Sequence, residues 1–237
     1  MDVAVLADAH LGGPGVDVGA SGSAVRQFIE QLRSLPSQGC RRLVLLGDIF
    51  HVWVGYPRFE TAEIAAVVPE LRALRAAGVR IEYIEGNRDF YLAGGVYADA
   101  FDAVQHETRF VSGDRRVVAV HGDGLNDRDR QYLFWRWLSK SSGIRLLVRH
   151  LPQMVAHRLV HGTEKKLAQT NFKHRRAIPE QAIRRYAERR LAEGHDELVL
   201  GHFHEPRTWE VPGGTVRLLE AWFSSRRVEW YRDLSSD

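Results

Sequence analysis

Short apolar runs alternate with amphipathic stretches through the first third of the chain. Val3–Ala7 precedes a helical pattern over Ser23–Leu35, Leu43–Leu46 precedes another over Thr61–Ala77, and Val79–Ile84 runs into Gly86. This alternation predicts an α/β sheet covered by helices on both faces. Val117–Val120 and Leu198–Leu200 read as two further buried strands, each running directly into a polar Gly/His segment. Thr208–Val211 and Thr215–Ala221 flank Pro212-Gly213-Gly214, and Val228–Tyr231 follows, which reads as an antiparallel end of the sheet.

Between the last two motif-bearing strands the period changes to a helical one, over Tyr132–Leu138, over Ile144–Leu167 with a break at Pro152, and over Pro179–Leu191. A stretch of this length without strands is too long for a plain loop, so residues 124–195 are expected to form a helical lid. Residues 1–123 and 196–237 then form the core. Charge sharpens this division. Between Gly124 and His195 there are sixteen Lys/Arg against six Asp/Glu, although the whole chain carries only +3. Such a segment suits an anionic partner; solvated helix faces are the plainer explanation. Gly12–Gly22 has no Lys-Ser/Thr pair opening a helix and reads as a loop, not a phosphate cradle.

The single cysteine, Cys40, excludes an internal disulfide and is expected to be a buried, idle thiol in a reducing cytoplasmic setting. The N-terminus reads as a first strand and not as a signal peptide. The best candidate for a membrane span, Ile144–Val160, is interrupted by Arg149, His150, His157 and Arg158.

Chemistry concentrates at five strand ends: Asp8-Ala9-His10, Gly47-Asp48, Gly86-Asn87-Arg88-Asp89, His121-Gly122-Asp123 and Gly201-His202-Phe203-His204. Carboxylate, imidazole and amide oxygen without thiolate are ligands for Mn²⁺, Fe, Zn²⁺ or Mg²⁺. One Asp-x-His is weak evidence, because such pairs usually cap or pack. Five polar motifs, each directly after an apolar run, are not explained that way.

In this order the motifs resemble the D-x-H, GD, GN-[HR]-[DE], H and GH-x-H signature of the calcineurin-like metallophosphoesterases. The resemblance implies a sandwich of mixed sheets flanked by helices, with a helical lid insertion. It also implies two divalent metal ions, Mn²⁺ foremost, one held by Asp8, His10, Asp48 and His204. The other would be held by Asp48, Asn87, His121 and His202, with Asp48 as the bridge. Two cations roughly 3.5–4 Å apart activate water and clamp a phosphoryl group.

The position after Asn87 is commonly His in this superfamily and is Arg88 here. Arginine cannot serve as an acid, but it can neutralise phosphate charge. That suits a leaving group needing no proton, such as a phosphate monoester with a second pKa of about 6. Gly86-Asn87-Arg88-Asp89-Phe90, Gly47-Asp48-Ile49-Phe50 and Trp53-Val54-Gly55 resemble the UDP-2,3-diacylglucosamine diphosphatases of lipid A biosynthesis, which release UMP and a diacylglucosamine 1-phosphate. The resemblance implies catalytic roles for Asn87 and Arg88. Arg88, Lys165, Lys166, Asn171 and Lys173 would bind substrate, the partner being a lipid-linked sugar nucleotide met at the inner face of the cytoplasmic membrane.

Leu146, Leu147, Val148, Leu151, Met154, Val155 and Leu159 could hold acyl chains or pack the lid onto the core. A nuclease reading would use Tyr132, Phe134, Trp135 and Trp137 as stacking platforms, but packing is their simpler role, which argues against nucleic acid. Another nucleotide pyrophosphate or phosphodiester remains the alternative substrate. The sequence departs from the family pattern at His51, where an acidic residue is usual, at Tyr56-Pro57, at Glu205-Pro206 and over Gln169–Ile178.

Overall fold

In the computed structural model, which describes residues 2–16, 23–126, 129–152, 155 and 178–232, the strands divide between two five-stranded sheets. The first takes β1 (Val3–Leu6), β2 (Arg42–Leu45), β4 (Arg80–Ile84), β6 (Ala103–Gln105) and β12 (Glu229–Tyr231), in the order β12-β1-β2-β4-β6. The second takes β7 (Glu107–Ser112), β8 (Arg115–Val120), β9 (Glu197–Leu200), β10 (Arg207–Val211) and β11 (Gly214–Leu218), in the order β10-β11-β9-β8-β7. Each has a parallel centre with antiparallel strands at an edge. Two short strands, β3 (Trp53–Val54) and β5 (Asp89–Phe90), pair separately.

The layering follows from side chains alternating across each strand. Val3 and Val5 point into the space between the sheets, where they meet Val44, Ile84, Val117, Ala119 and Val199. Ala4 and Leu6 point the other way, onto helices α1 (Ser23–Ser34) and α2 (Ala62–Ala76), through Phe28, Leu32, Ile64 and Leu71. On the second sheet Val118, Leu198, Leu200 and Val216 face outward onto Ile183, Ala187 and Leu191 of a helix over Glu180–Ala192. The order of layers is therefore helix, sheet, sheet, helix. Strands buried on both faces become continuous apolar runs, which is why they stood out in the sequence.

The single sheet read from the alternation is thus corrected to two facing sheets, the sandwich that the resemblance implied. The expected antiparallel end is split as well: β10 and β11 close the second sheet, while β12 runs antiparallel to β1 in the first. The α2 N-terminus is capped by Thr61, whose side chain accepts from the Ile64 amide. Cys40 is buried.

Ion pairs close the end of the sandwich where the parallel strands begin. Buried Glu82 takes Arg42 and Arg80, and Arg42 also reaches Thr108 and the Arg109 carbonyl across the sheets. Buried Glu197 takes Arg115, Arg217 and the Tyr231 hydroxyl. The opposite end, where parallel strands finish, is open to carry chemistry.

Of the segment expected as a lid, α3 (Arg130–Ser139) and α4 (Ser142–His150) are described, with α5 as the helix over Glu180–Ala192. The helix α5, which lies within the segment expected as a lid, forms the outer layer of the second sheet. The aromatic residues of α3 correct a further expectation: this helix has no buried residue, and Phe134, Trp135 and Trp137 are exposed instead of packed. Lys165, Lys166, Asn171, Lys173, Met154 and Leu159 lie outside the described residues, as do positions 17–22 of the Gly-rich stretch. Among the described residues, no helix is long and apolar enough to cross a membrane.

Candidate metal centre

All five motifs converge at the open end. Asp8 and His10 follow β1, Asp48 follows β2, Asn87 and Arg88 follow β4, His121 follows β8, and His202 and His204 follow β9. Backbone bonds lock the first two loops together, from the Asp8 amide to the Gly47 carbonyl at 3.1 Å and from the His10 amide to the Asp48 carbonyl at 3.0 Å. The His202 amide donates to Asp8 Oδ2 at 2.7 Å, which ties the two sheets at the site.

Five of these residues sit at positive φ: Asp8 (53°), His10 (46°), Asp48 (53°), His202 (66°) and His204 (60°). This region is costly for a side chain and persists where the surroundings over-determine it, so its concentration here marks a built site. The motif glycines have a steric reason. A Cβ on Gly86 would lie 2.3 Å from Asp48 Oδ1, and one on Gly47, itself at φ 81°, would lie 2.6 Å from His121 Nδ1. Any larger residue would displace a candidate ligand.

Two groups of ligand atoms could each hold a cation: Asp8, His10 and His204, and Asp8, Asp48 and His121. In the first, Nε2 of His10 and Nε2 of His204 face each other at 3.1 Å, with Asp8 Oδ1 3.1 Å from His204 Nε2. Converging lone pairs of this kind suit a cation better than they suit one another. In the second, Asp48 Oδ1 is 3.7 Å and Asn87 Oδ1 3.3 Å from His121 Nε2, while His121 Nδ1 donates to the Leu46 carbonyl at 2.8 Å. That bond turns Nε2 toward the site. Asp8 is common to both groups in this geometry, whereas the resemblance assigned the bridge to Asp48. His202 stands beside His121, with ring centroids 5.2 Å apart.

The electrostatics fit a divalent cation. Asp8, Asp48 and Asp89 are buried together, a charge density that needs compensation. Burial raises Asp48, with the charge of Asp8 adding and His121 and Arg88 opposing. Burial would raise Asp8 too, but His204, His121 and His10 outweigh it and hold the carboxyl well below its usual range. Burial pulls His121 down, yet Asp48, Asp8 and Asp123 dominate and lift it to about 9. Burial and the neighbouring His121 push His202 down to about 4, and burial also lowers His10, so both are neutral and ready to ligate near pH 7. The donor set of carboxylate, imidazole and amide fits hard-to-borderline divalent ions.

Arg88 is 5% exposed; its amide donates to Asp48 Oδ1 at 2.9 Å and its Nε lies 3.5 Å from Asp48 Oδ2. Asp89 Oδ2 accepts from the amides of Asp48 and Gly86 at 2.9 and 2.8 Å, bracing the two loops. Burial, then the charge of Asp48, raises its pKa to about 7.

Contacts between α3 and the site carried no signal in the sequence. Asp123 is buried beside His121 and accepts from Tyr132 Oη at 2.9 Å and Arg136 Nε at 2.5 Å. Lys140 Nζ donates to the Gly86 carbonyl at 2.8 Å. Tyr91 Oη donates to the Ser139 carbonyl, and Arg58 to that of Leu151. Partners nine and thirteen residues from Asp123 follow no local rule.

Two facing mixed sheets thus carry an Asp/His cluster able to hold divalent cations at their common open end, the arrangement that the resemblance to calcineurin-like metallophosphoesterases implies. No protein-family model matches the chain. It is 28% identical over 209 residues to the UDP-2,3-diacylglucosamine hydrolase of Pseudomonas savastanoi pv. phaseolicola, covering 86% of this chain and 79% of that protein. It is 27% identical over 230 residues to the UDP-2,3-diacylglucosamine hydrolase of Ralstonia nicotianae, covering 92% and 82%. Among solved structures, an archaeal phosphodiesterase is 11% identical, with 97% of this chain and 98% of that chain covered and a TM-score of 0.43.

Proposed function

We propose that this chain is a metal-dependent hydrolase that cleaves the pyrophosphate of UDP-2,3-diacylglucosamine, giving UMP and 2,3-diacylglucosamine 1-phosphate. The observation that carries this reading is Arg88, buried against Asp48 at the candidate metal centre. A histidine there could protonate an alkoxide; a guanidinium can only neutralise charge, which is what a departing phosphate monoester requires. The similarity to named UDP-2,3-diacylglucosamine hydrolases along most of their length points the same way.

In this reading Asp8, His10, Asp48 and His204 hold one divalent ion, and Asp48, Asn87, His121 and His202 hold a second, with Mn²⁺ the ion expected. When bound, the pair supplies Lewis acidity and a water acidic enough to attack phosphorus near neutral pH. The chain's own residues do the rest. Asp48 and Asp8 set the negative field that retains the ions. His121, oriented by the Leu46 carbonyl, presents Nε2 beside Asn87. Arg88 offsets charge on the pyrophosphate as the bridging P–O bond breaks.

Residues 124–179 act as the lid in this reading, with Lys165, Lys166, Asn171 and Lys173 meeting substrate. Phe134, Trp135 and Trp137 of α3 and Leu146 and Leu147 of α4 are exposed, and Arg145 and Arg149 lie on the same helix as the leucines. Rings and aliphatic chains with adjacent arginines suit an anionic bilayer, where a diacylated substrate resides. In this reading the enzyme works in the cytoplasm, peripheral on the membrane.

Incubation with UDP-2,3-diacylglucosamine and a panel of nucleotide pyrophosphates, followed by ³¹P NMR of products, tests the reading. Release of UMP and the sugar 1-phosphate is expected. Turnover of another pyrophosphate or a dye phosphodiester alone would replace the substrate while leaving the centre intact.

A further inference from the structure

The inner end of the Arg88 guanidinium is held by a residue that none of the motifs contains. Arg88 Nη1 lies 2.9 Å from His51 Nδ1 and 3.2 Å from the His51 carbonyl oxygen. Both residues are buried, at 5% and 8% exposure. A guanidinium offers only donors, so the imidazole must be the acceptor at Nδ1, which places the proton of His51 on Nε2 and makes the ring neutral. The ring is itself fixed: the His51 amide donates to the Leu11 carbonyl at 2.9 Å, and a Cβ on Gly13 would lie only 3.0 Å from Nδ1. Together with the 3.5 Å approach of Nε to Asp48, these bonds set the plane of the guanidinium. Among the described residues no group accepts from Nη2, which leaves its hydrogens for a phosphate oxygen.

We propose that His51 is a positioning residue for Arg88, a neutral acceptor that fixes the guanidinium for the pyrophosphate without cancelling its charge. A carboxylate would form an ion pair with Arg88 and add a negative charge beside Asp48 and the incoming anion; an imidazole keeps the geometry and omits the charge. This inference rests on the reading of Arg88 given above, and it makes His51 a determinant of how tightly a multiply charged pyrophosphate is bound.

A double-mutant cycle tests it, using His51→Ala, Arg88→Ala and the double variant on UDP-2,3-diacylglucosamine, with bis(p-nitrophenyl) phosphate and bound metal measured in parallel. Loss of one hydrogen bond to a charged group predicts that His51→Ala lowers kcat on the pyrophosphate roughly ten- to hundredfold with metal content unchanged. In the Arg88→Ala background the same substitution should have no further effect. Asn Oδ1 can occupy the place of Nδ1, so His51→Asn should recover most of the loss, and it also serves if the alanine variant fails to fold. His51→Asp should restore kcat but raise KM for the pyrophosphate. Additive losses in the cycle, or an Asn variant no better than Ala, would overturn the positioning role; an unchanged KM in His51→Asp would overturn the charge argument. If the wild type spares UDP-2,3-diacylglucosamine and cleaves another nucleotide pyrophosphate, the cycle is measured on that substrate. The substrate reading then fails alone while the coupling of residues 51 and 88 is still decided.

Discussion

Replacing Trp135 and Trp137 together with Ser tests the proposed contact of α3 with a membrane. The two residues are 57% and 66% exposed, and Phe134 lies between them with ring centroids 5.9 and 6.0 Å away. Taking roughly 200 Å² for each side chain, the two leave about 250 Å² of ring surface to water. At about 25 cal/mol per Å², full transfer out of water would contribute ~6 kcal/mol. Rings seated at a headgroup boundary are only partly immersed, so about half of this, ~3 kcal/mol or roughly a hundredfold in partition, is the expected loss. Sedimentation with vesicles containing phosphatidylglycerol reads the partition directly. Because α3 buries none of its residues, the serine variant should melt with the wild type and hydrolyse a soluble dye phosphodiester at the same rate. Vesicle binding unchanged in the variant would refute the membrane-facing assignment of α3, and parallel loss of dye hydrolysis would make the rings a support for the site.

The centre yields further outcomes. Asp48→Ala should abolish hydrolysis and lower the metal content found by mass spectrometry, because the carboxylate proposed to bridge two cations would be lost; full activity would end the dinuclear reading. Arg88→Ala should retain metal and lose roughly 2–4 kcal/mol of transition-state stabilisation on a pyrophosphate, as for one oxyanion donor, and Arg88→His should not restore it. His121, raised to about 9 by Asp48, Asp8 and Asp123 against the opposing effect of burial, must lose a proton to ligate. Metal affinity should therefore rise with pH up to about 9, by up to tenfold per unit, with a proton released in calorimetry; flat affinity from pH 6 to 8.5 would contradict this. The same raised pKa stabilises the metal-free fold fully below the unfolded value near 6.5, and that contribution is lost as pH rises through about 9. Neutralising Lys165, Lys166 and Lys173 should weaken turnover of the acylated substrate while sparing a dye phosphodiester.

The polar motifs were legible because each follows an apolar strand without a gap, so Val3–Leu6 announces Asp8 and Glu197–Leu200 announces His202. The partition of strands between two sheets came only through the motif resemblance and not from the periodicity, since a strand buried on both faces looks alike whether it packs on helices or on another sheet. β7 escaped notice because half of it faces solvent, with Val111 at 58% exposure among polar neighbours. β3 and β5 are two residues each, too short for any period. In α3 an apolar pattern was read as packing, but a pattern records only that a face avoids water, not what covers it. The grip of Arg136 and Tyr132 on Asp123, and of His51 on Arg88, arises from separate segments meeting in space and leaves no trace in spacing.

The pair His10 and His204 stands 194 residues apart in the chain yet 3.1 Å apart in space. A nascent polypeptide emerging from the ribosome therefore lacks a complete ion-binding pocket until the loop after β9 has been made and folded onto β1. Prematurely terminated chains would carry Asp8 and His10 without their distant partner and could not sequester a divalent ion at that position. An ion held there would stabilise the contact between the two sheets and not one loop alone, since its ligands come from both. Occupancy of the pocket thus requires that synthesis has passed His204 and that the ends of β1 and β9 have met.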